Sequence, residues 1–278
     1  MTVGGGTALV AHIGFPIDGF VSPLIYNPYF EQAGIDAVVV PMGCRAEDYP
    51  AFLKAVFTLT NIRGALVTMP HKVTTVGLLD EASTAVKVAG SCNAVLLRDD
   101  GKIVGDMFDG QGFTRGLKSK KFDVKGKSCL ISGTGGVGSA IAASLAADGV
   151  SRMALFDMNK ESVEGLAQRL RQHYPKMEVT TGSKDPKGFD LIVNATPLGM
   201  KPSDPLPFDT SRIGKDTFVG EVVMKQEITP LLKAAQEIGC RTQVGTDMLF
   251  EQIPAYLEFF GFGTSTPDEL RSVAKVSY

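Results

Sequence analysis

Apolar and polar positions alternate along this chain in two rhythms. Thr7 to Phe15 (TALVAHIGF), Ala37 to Met42 (AVVVPM) and Gly64 to Met69 (GALVTM) are short apolar runs with the pattern of buried strands. Between them, Leu24 to Ala33 and Tyr49 to Leu59 read as helices. Strands taking turns with helices predict a largely parallel sheet. Pro16 closes the first run, and Gly4 to Gly6 precede any strand, as a loose leader.

Polar and glycine residues accumulate from Gly110 to Lys127, where a break is expected. A second series follows. KSCLISG (127–133), RMALFD (152–157) and FDLIVNAT (189–196) read as strands, SAIAASLAADG (139–149) and ESVEGLAQRLRQHY (161–174) as helices. The stripe of apolar residues on the latter is explained by packing. Beyond Gly245, DMLFEQIPAYLEFF and PDELRSVAKV predict helices that pack back on the first series. The expected architecture is α/β in two domains, residues 1–112 with 245–278 and residues 113–244.

Composition narrows the partners. Apolar residues make up 44% and charged residues 21%, the balance of a globular protein. Lys plus Arg (28) nearly match Asp plus Glu (30), with no basic block, so nucleic acid is not expected as a partner. No apolar run reaches the ~18 residues that span a bilayer, and MTVGGGTALV lacks a signal peptide's basic region. A cytoplasmic protein, monomer or homodimer, is expected. Cys44, Cys92, Cys129 and Cys240 are scattered and form no C-x-x-C, so reduced thiols and no metal site are expected. His12 falls in the first strand and His173 on an amphipathic helix. His71 would face away from its neighbour Lys72 in an extended segment. None of the three receives a chemical role.

Gly133, Gly135 and Gly138 form G-x-G-x-x-G between a strand and a helix, with Gly136 and Val137 completing the loop. Such glycines permit a tight turn and let backbone N–H groups approach a pyrophosphate. Asp157 ends the next strand, where a carboxylate accepts hydrogen bonds from an adenosine ribose and repels a 2′-phosphate. Met158 rather than arginine follows it, so NAD is expected in preference to NADP, although Lys160 is a cation nearby. The plainer alternative is a glycine turn in an ordinary α/β domain with a solvated aspartate.

Hydride transfer asks the protein for position and for a group that handles the hydroxyl proton. Lys72 in VTMPHK and Asp109 in GDMFDGQG are a lysine and a carboxylate of that kind. Several segments, in order, resemble the shikimate dehydrogenase family: GFPI…SP with Asn27 after it, VTMPHK, GSCNAV, DGQG, GTGGVGSA, NATPLGM and GTDMLFEQ. The resemblance implies a substrate domain and a Rossmann domain with the active site in the cleft between them. It implies Lys72 as general acid/base and Asp109 as anchor of the reacting hydroxyl. Ser22, Thr68, Asn93 and Gln252 would hold the substrate, a small cyclic hydroxy acid. Asn194, Thr196, Met200, Gly245 and Met248 would lie on the nicotinamide side.

The chain departs from the family pattern in one direction. Phe20 replaces the first serine of S-x-S-P, Met224 stands at a tyrosine position and Leu66 at an asparagine position, and Met107-Phe108 precede the aspartate in place of Asn-Thr. A hydroxyl contact to a carboxylate contributes roughly 1.5–3 kcal/mol. Losing two such contacts costs on the order of a hundredfold in specificity, so shikimate is expected to be a poor substrate. The alternative is a repacked core in which a group such as Lys225 binds the carboxylate. Two rival functions are a dinucleotide-binding sensor, against which Lys72 and Asp109 both argue, and a methylene-folate dehydrogenase, which leaves GTDMLFEQ unexplained.

Overall fold

A computed structural model describes residues 2–276. The chain divides into two compact units. One holds everything up to Phe108 and the tail from Ile253; the other runs from Asp109 to Gln252.

The first unit opens with β1 (Ala8–Gly14), α1 (Pro23–Ala33), β2 (Ala37–Gly43), α2 (Tyr49–Val56) and β3 (Ile62–Val67), in the alternation expected. Short α3 (Lys72–Val76), β4 (Glu81–Ala82) and α4 (Thr84–Ala89) lead to a hairpin of β5 (Ala94–Leu97) and β6 (Ile103–Asp106). The strands lie in the order β2-β1-β3-β5-β6-β4, with β1 parallel to both neighbours and β5 antiparallel to both of its own. Five of the six strands thus run the same way and β5 is reversed, so the sheet is largely parallel, as expected. Its hairpin turns at Asp100-Gly101, with Gly101 at φ 79°, and so short a connection can join only antiparallel strands. Asn27 of α1 bonds the backbone of Val39 in both directions, at 2.7 and 3.1 Å, tying helix to strand.

The second unit begins with α5 (Asp109–Ser119), then β7 (Ser128–Ser132), α6 (Gly136–Ala147), β8 (Arg152–Phe156), α7 (Lys160–His173), β9 (Glu178–Thr181) and β10 (Leu191–Asn194). β11 (Phe218–Glu221), α8 (Pro230–Ile238), β12 (Arg241–Gln243) and α9 (Gly245–Phe259) complete the series. Its sheet is wholly parallel, in the order β12-β11-β10-β7-β8-β9. Counted from β7 outward, this is the doubly wound order of a Rossmann domain, whose winding reverses between β7 and β10. Leu130, Ile192, Val219, Leu231 and Leu232 fill the core on one side.

After α9, α10 (Pro267–Val273) packs on α1, and the Phe262 ring lies 5.1 Å from that of Phe30, so the chain from Ile253 rather than Gly245 joins the first unit.

The expected break at Gly110 to Lys127 is a helix over its first half. Gly110, Gly112 and Gly116 are not loop formers here. A Cβ on Gly110 would overlap the Ala140 backbone of α6, and one on Gly112 would meet the Met248 carbonyl of α9 at 2.5 Å. The glycines let α5 lie backbone to backbone against its neighbours, which composition alone reads as a break. Other boundaries also moved. α6 starts at Gly136 inside the glycine loop, β10 stops at Asn194, and the last helix ends at Val273. Among the described residues no helix is long and apolar enough to cross a membrane, and no cluster of side chains is suited to a metal.

These contacts set the sign of one substitution. Helix propensity alone favours Gly110→Ala by about 1 kcal/mol, whereas overpacking costs about 1–3 kcal/mol. We expect a lower urea midpoint for Gly110→Ala; a higher one would mean that α5 and α6 separate freely.

Candidate active site

In the first unit, the turns after β1 and β3 and the turn before β5 meet at the carboxyl ends of β1 and β3. Thr68 N–H donates to Ile13 O (2.9 Å) and Phe15 N–H to Met69 O (3.0 Å), joining the turns after the two strands. Val67 N–H reaches Asn93 O, and Cys92 N–H reaches the Lys72 carbonyl, each at 2.9 Å. Thr68, Lys72 and Asn93, far apart in sequence, thus sit on hydrogen-bonded neighbours. Ser22 lies just before α1, and its hydroxyl makes no capping bond.

Lys72 is half-buried and is the first residue of α3, following a helical His71, so the segment is not extended. His71 is buried, stacks on Tyr49 at 3.9 Å and bonds Cys44 O through Nε2 at 2.9 Å. It serves as the floor of the turn that carries Lys72. Asn93 is 1% exposed; its Oδ1 accepts from Phe108 N–H at 2.9 Å, while its Nδ2 has no partner among the described residues. A buried amide donor left open is suited to a ligand hydroxyl.

In the second unit, the glycine turn divides its work. Gly133 has φ 100° and a Cβ there would strike Ala195; one on Gly138 would strike Gly133 O. Gly135 is exposed, with no described atom within 4 Å of its missing Cβ. One glycine makes the turn, one seats α6 on the sheet, and one leaves open space before the helix N-terminus at Gly136 and Val137. These residues fit a dinucleotide pyrophosphate at the switch point of the sheet. Asp157 accepts from Thr134 N–H at 2.7 Å and from Asn159 N–H at 2.9 Å, which fixes its carboxylate beside the loop.

Asn194 spends its amide internally: Nδ2 donates to Glu221 and Leu198 O, and Oδ1 accepts from Thr196 N–H and Oγ1. It shapes the turn that presents Thr196 and the exposed Met200. Gly245 is buried against the Val222–Val223 backbone, and Met248 is buried on α9. Asp109 is 5% exposed at the start of α5, and Gln252 is buried with no partner for Oε1 among the described residues. Gly112 brings α5 against the Gln252 backbone.

Comparison with known proteins bears on this arrangement. Residues 12–95 match the family model described as the shikimate dehydrogenase substrate binding domain. The chain is 32% identical over 254 residues to a shikimate dehydrogenase (NADP(+)) of Rubrobacter xylanophilus, covering 90% of this chain and 89% of that one. The chain belongs to the shikimate dehydrogenase family. The shikimate 5-dehydrogenase of Listeria monocytogenes, solved with shikimate and NAD, superposes with TM-score 0.90 at 27% identity over 98% of both chains. A ligand-free 5-ketofructose reductase of Gluconobacter superposes with TM-score 0.89 at 25% identity, over 98% of this chain and 99% of that one.

Within this shikimate dehydrogenase scaffold, two features escaped the sequence reading. The first is His12. It is 7% exposed, stacks on Phe20 with centroids 4.0 Å apart, and its Nδ1 has no partner among the described residues. Burial and then the Lys72 ammonium lower its pKa to about 4, so it is neutral near pH 7. A histidine flanked by apolar residues in a strand looks like core, and only the stacking and the open nitrogen distinguish it. Of the departures from the family pattern, Leu66, Met107 and Phe108 are buried, Phe20 is partly buried and Met224 is exposed.

The second is Glu221, wholly buried at the end of β11. It accepts from Asn194 Nδ2 (2.9 and 3.1 Å), Thr229 Oγ1 (3.0 Å), Val222 N–H (2.9 Å) and Val223 N–H (3.1 Å), fastening the turns after β10 and β11. Burial nevertheless raises its pKa above the ordinary 4.5, outweighing those donors. A carboxyl with a higher pKa folded than unfolded stabilises fully below the unfolded value, and this contribution is lost as pH rises through the folded one. In urea unfolding, the advantage of the wild type over Glu221→Gln should therefore shrink as pH rises from below 4.5 toward neutral. An advantage that grows with pH would reverse the assignment.

Proposed function

We propose that this protein is an NAD-dependent oxidoreductase. It interconverts a secondary alcohol and a ketone on a shikimate- or quinate-like ring, with shikimate itself turned over poorly. The observation that carries this reading is the hydrogen-bonded meeting of the Thr68, Lys72 and Asn93 turns at the carboxyl ends of β1 and β3. The first unit carries Lys72, Thr68 and Asn93 toward the substrate, and the glycine turn of the second serves the cofactor.

The cofactor, when bound, supplies or takes up the hydride. Lys72 gives and recovers the proton of the reacting hydroxyl, and Asp109 anchors that hydroxyl. Asn93 offers its open Nδ2, Thr68 and Gln252 hold further hydroxyls, and Ser22 is the serine that remains of the S-x-S-P carboxylate grip. Thr196, Met200, Gly245 and Met248 line the nicotinamide side, and Asn194 holds the turn that carries the first two.

Proteins of this scaffold are named for NADP(+) or solved with NAD, so this chain's own residues must decide the cofactor. Asp157 has its charge fixed beside the glycine loop, and Met158 next to it is 89% exposed and uncharged. That pairing favours a ribose diol over a 2′-phosphate. Phe20 and Met224 stand where hydroxyls would grip a carboxylate, which supports weak turnover of shikimate.

Two measurements test the reading, both by the appearance of NADH or NADPH over a set of cyclic alcohols. Lys72→Ala should lower kcat by about 10²–10⁴ on whichever alcohol is oxidised. Wild-type turnover would remove Lys72 from the chemistry. Asp157→Asn should shift the NADP to NAD ratio of kcat/KM upward by about tenfold or more. An unchanged ratio would place the choice of cofactor elsewhere.

A further inference from the structure

The sheet of the first unit reverses its winding between β1 and β3, since β2 lies on one side of β1 and β3 on the other. Ligands of open α/β sheets bind outside the carboxyl ends of the strands at such a point. His12 is two residues from the end of β1, in register with Pro41 of β2 and Leu66 of β3. Partners across a parallel pair share a face, so His12 has two apolar neighbours beside it. Pro41 has no N–H to donate. Phe20 covers one face of the imidazole, and the absent Cβ of Gly14 leaves room for the Phe20 ring and the Thr68 methyl, at 2.7 and 2.5 Å from where it would stand. The ring thus stands between the opening turn and the turn of Thr68 and Lys72.

A buried histidine held for structure normally has a hydrogen-bond partner, as His71 has in Cys44 O. His12 has apolar walls, a stacked ring and an open Nδ1. We infer that His12 determines substrate specificity: its Nδ1 hydrogen-bonds an uncharged hydroxyl of the substrate, at an end of the ring where Phe20, Leu66 and Pro41 leave no grip for a carboxylate. The inference rests on the reading above that the substrate lies against Lys72. It narrows the substrate to a polyhydroxylated ring that presents hydroxyl rather than acid at this end. Neutrality suits the task. Burial, and then the charge of Lys72, hold the imidazole neutral, and it can donate or accept according to its tautomer.

The test compares quinate and shikimate with their methyl esters and with inositols, in wild type, His12→Leu, His12→Asn and Lys72→Ala, each with NAD and NADP. The wild type should prefer an uncharged ring to its acid by about tenfold or more in kcat/KM. His12→Leu should lower kcat/KM on the preferred ring by about tenfold, mainly through KM, and His12→Asn should recover part of that loss. The urea midpoint of His12→Leu should stay level or rise, because an unpartnered polar atom has been removed. An unchanged KM with a lowered midpoint would make His12 structural and overturn the inference. Loss of turnover in Lys72→Ala would leave the broader reading standing in that case. If the wild type oxidises none of these rings with either cofactor, both fall together.

Discussion

Close approach of backbone to backbone governs this molecule, and it is possible only where a side chain is missing. The turn after β7 closes against Ala195 because Gly133 has no Cβ, and α6 seats on that turn because Gly138 has none. α5 reaches the backbones of α6 and α9 through Gly110 and Gly112. In the first unit, Gly14 admits Phe20 and Thr68 to the end of β1. Interiors are packed too densely to absorb a methyl group at such points without displacement. The functional groups ride on turns held by these contacts, so their positions inherit the same tolerance.

Much of this was legible beforehand, and what was not has physical causes. The strands and helices around β1 to β3 and β7 to β10 follow from apolar period, since each buries one face or both. The site motifs were legible because their residue types are rare in combination. α5 was not, because glycine reads as a breaker until a neighbouring backbone explains it. The hairpin of β5 and β6 was missed because its strands are four residues each. Glu221 and His12 were hidden for a shared reason: sequence shows a polar residue, but not whether its hydrogen bonds are satisfied. Glu221 is satisfied by four donors and organises two turns; His12 has an open nitrogen.

Polarity in the first unit has been redistributed. Positions 20, 66, 107 and 108 are apolar, while a polar group occupies position 12 within a strand. Lys72 stays half-buried above a floor of Tyr49 and His71, and that floor is independent of the altered positions. Under the proposed roles, recognition of the ring and handling of the proton fall on separate supports. Relatives named for an acid and for a keto sugar share the scaffold for the same reason: fold sets the platform and a few side chains set the chemistry.

The tail of the first unit also dictates an order of events during synthesis. Phe260 fills the space left by Gly64 in β3, Phe262 lies on Phe30, and α10 covers α1. A ribosome makes residues 109–252 before any of those partners. The inserted unit can therefore collapse on itself as it emerges, while the unit begun earlier waits with β3 and α1 uncovered. The portion translated first is the last to finish folding, and its exposed apolar surface is what a nascent-chain chaperone would meet.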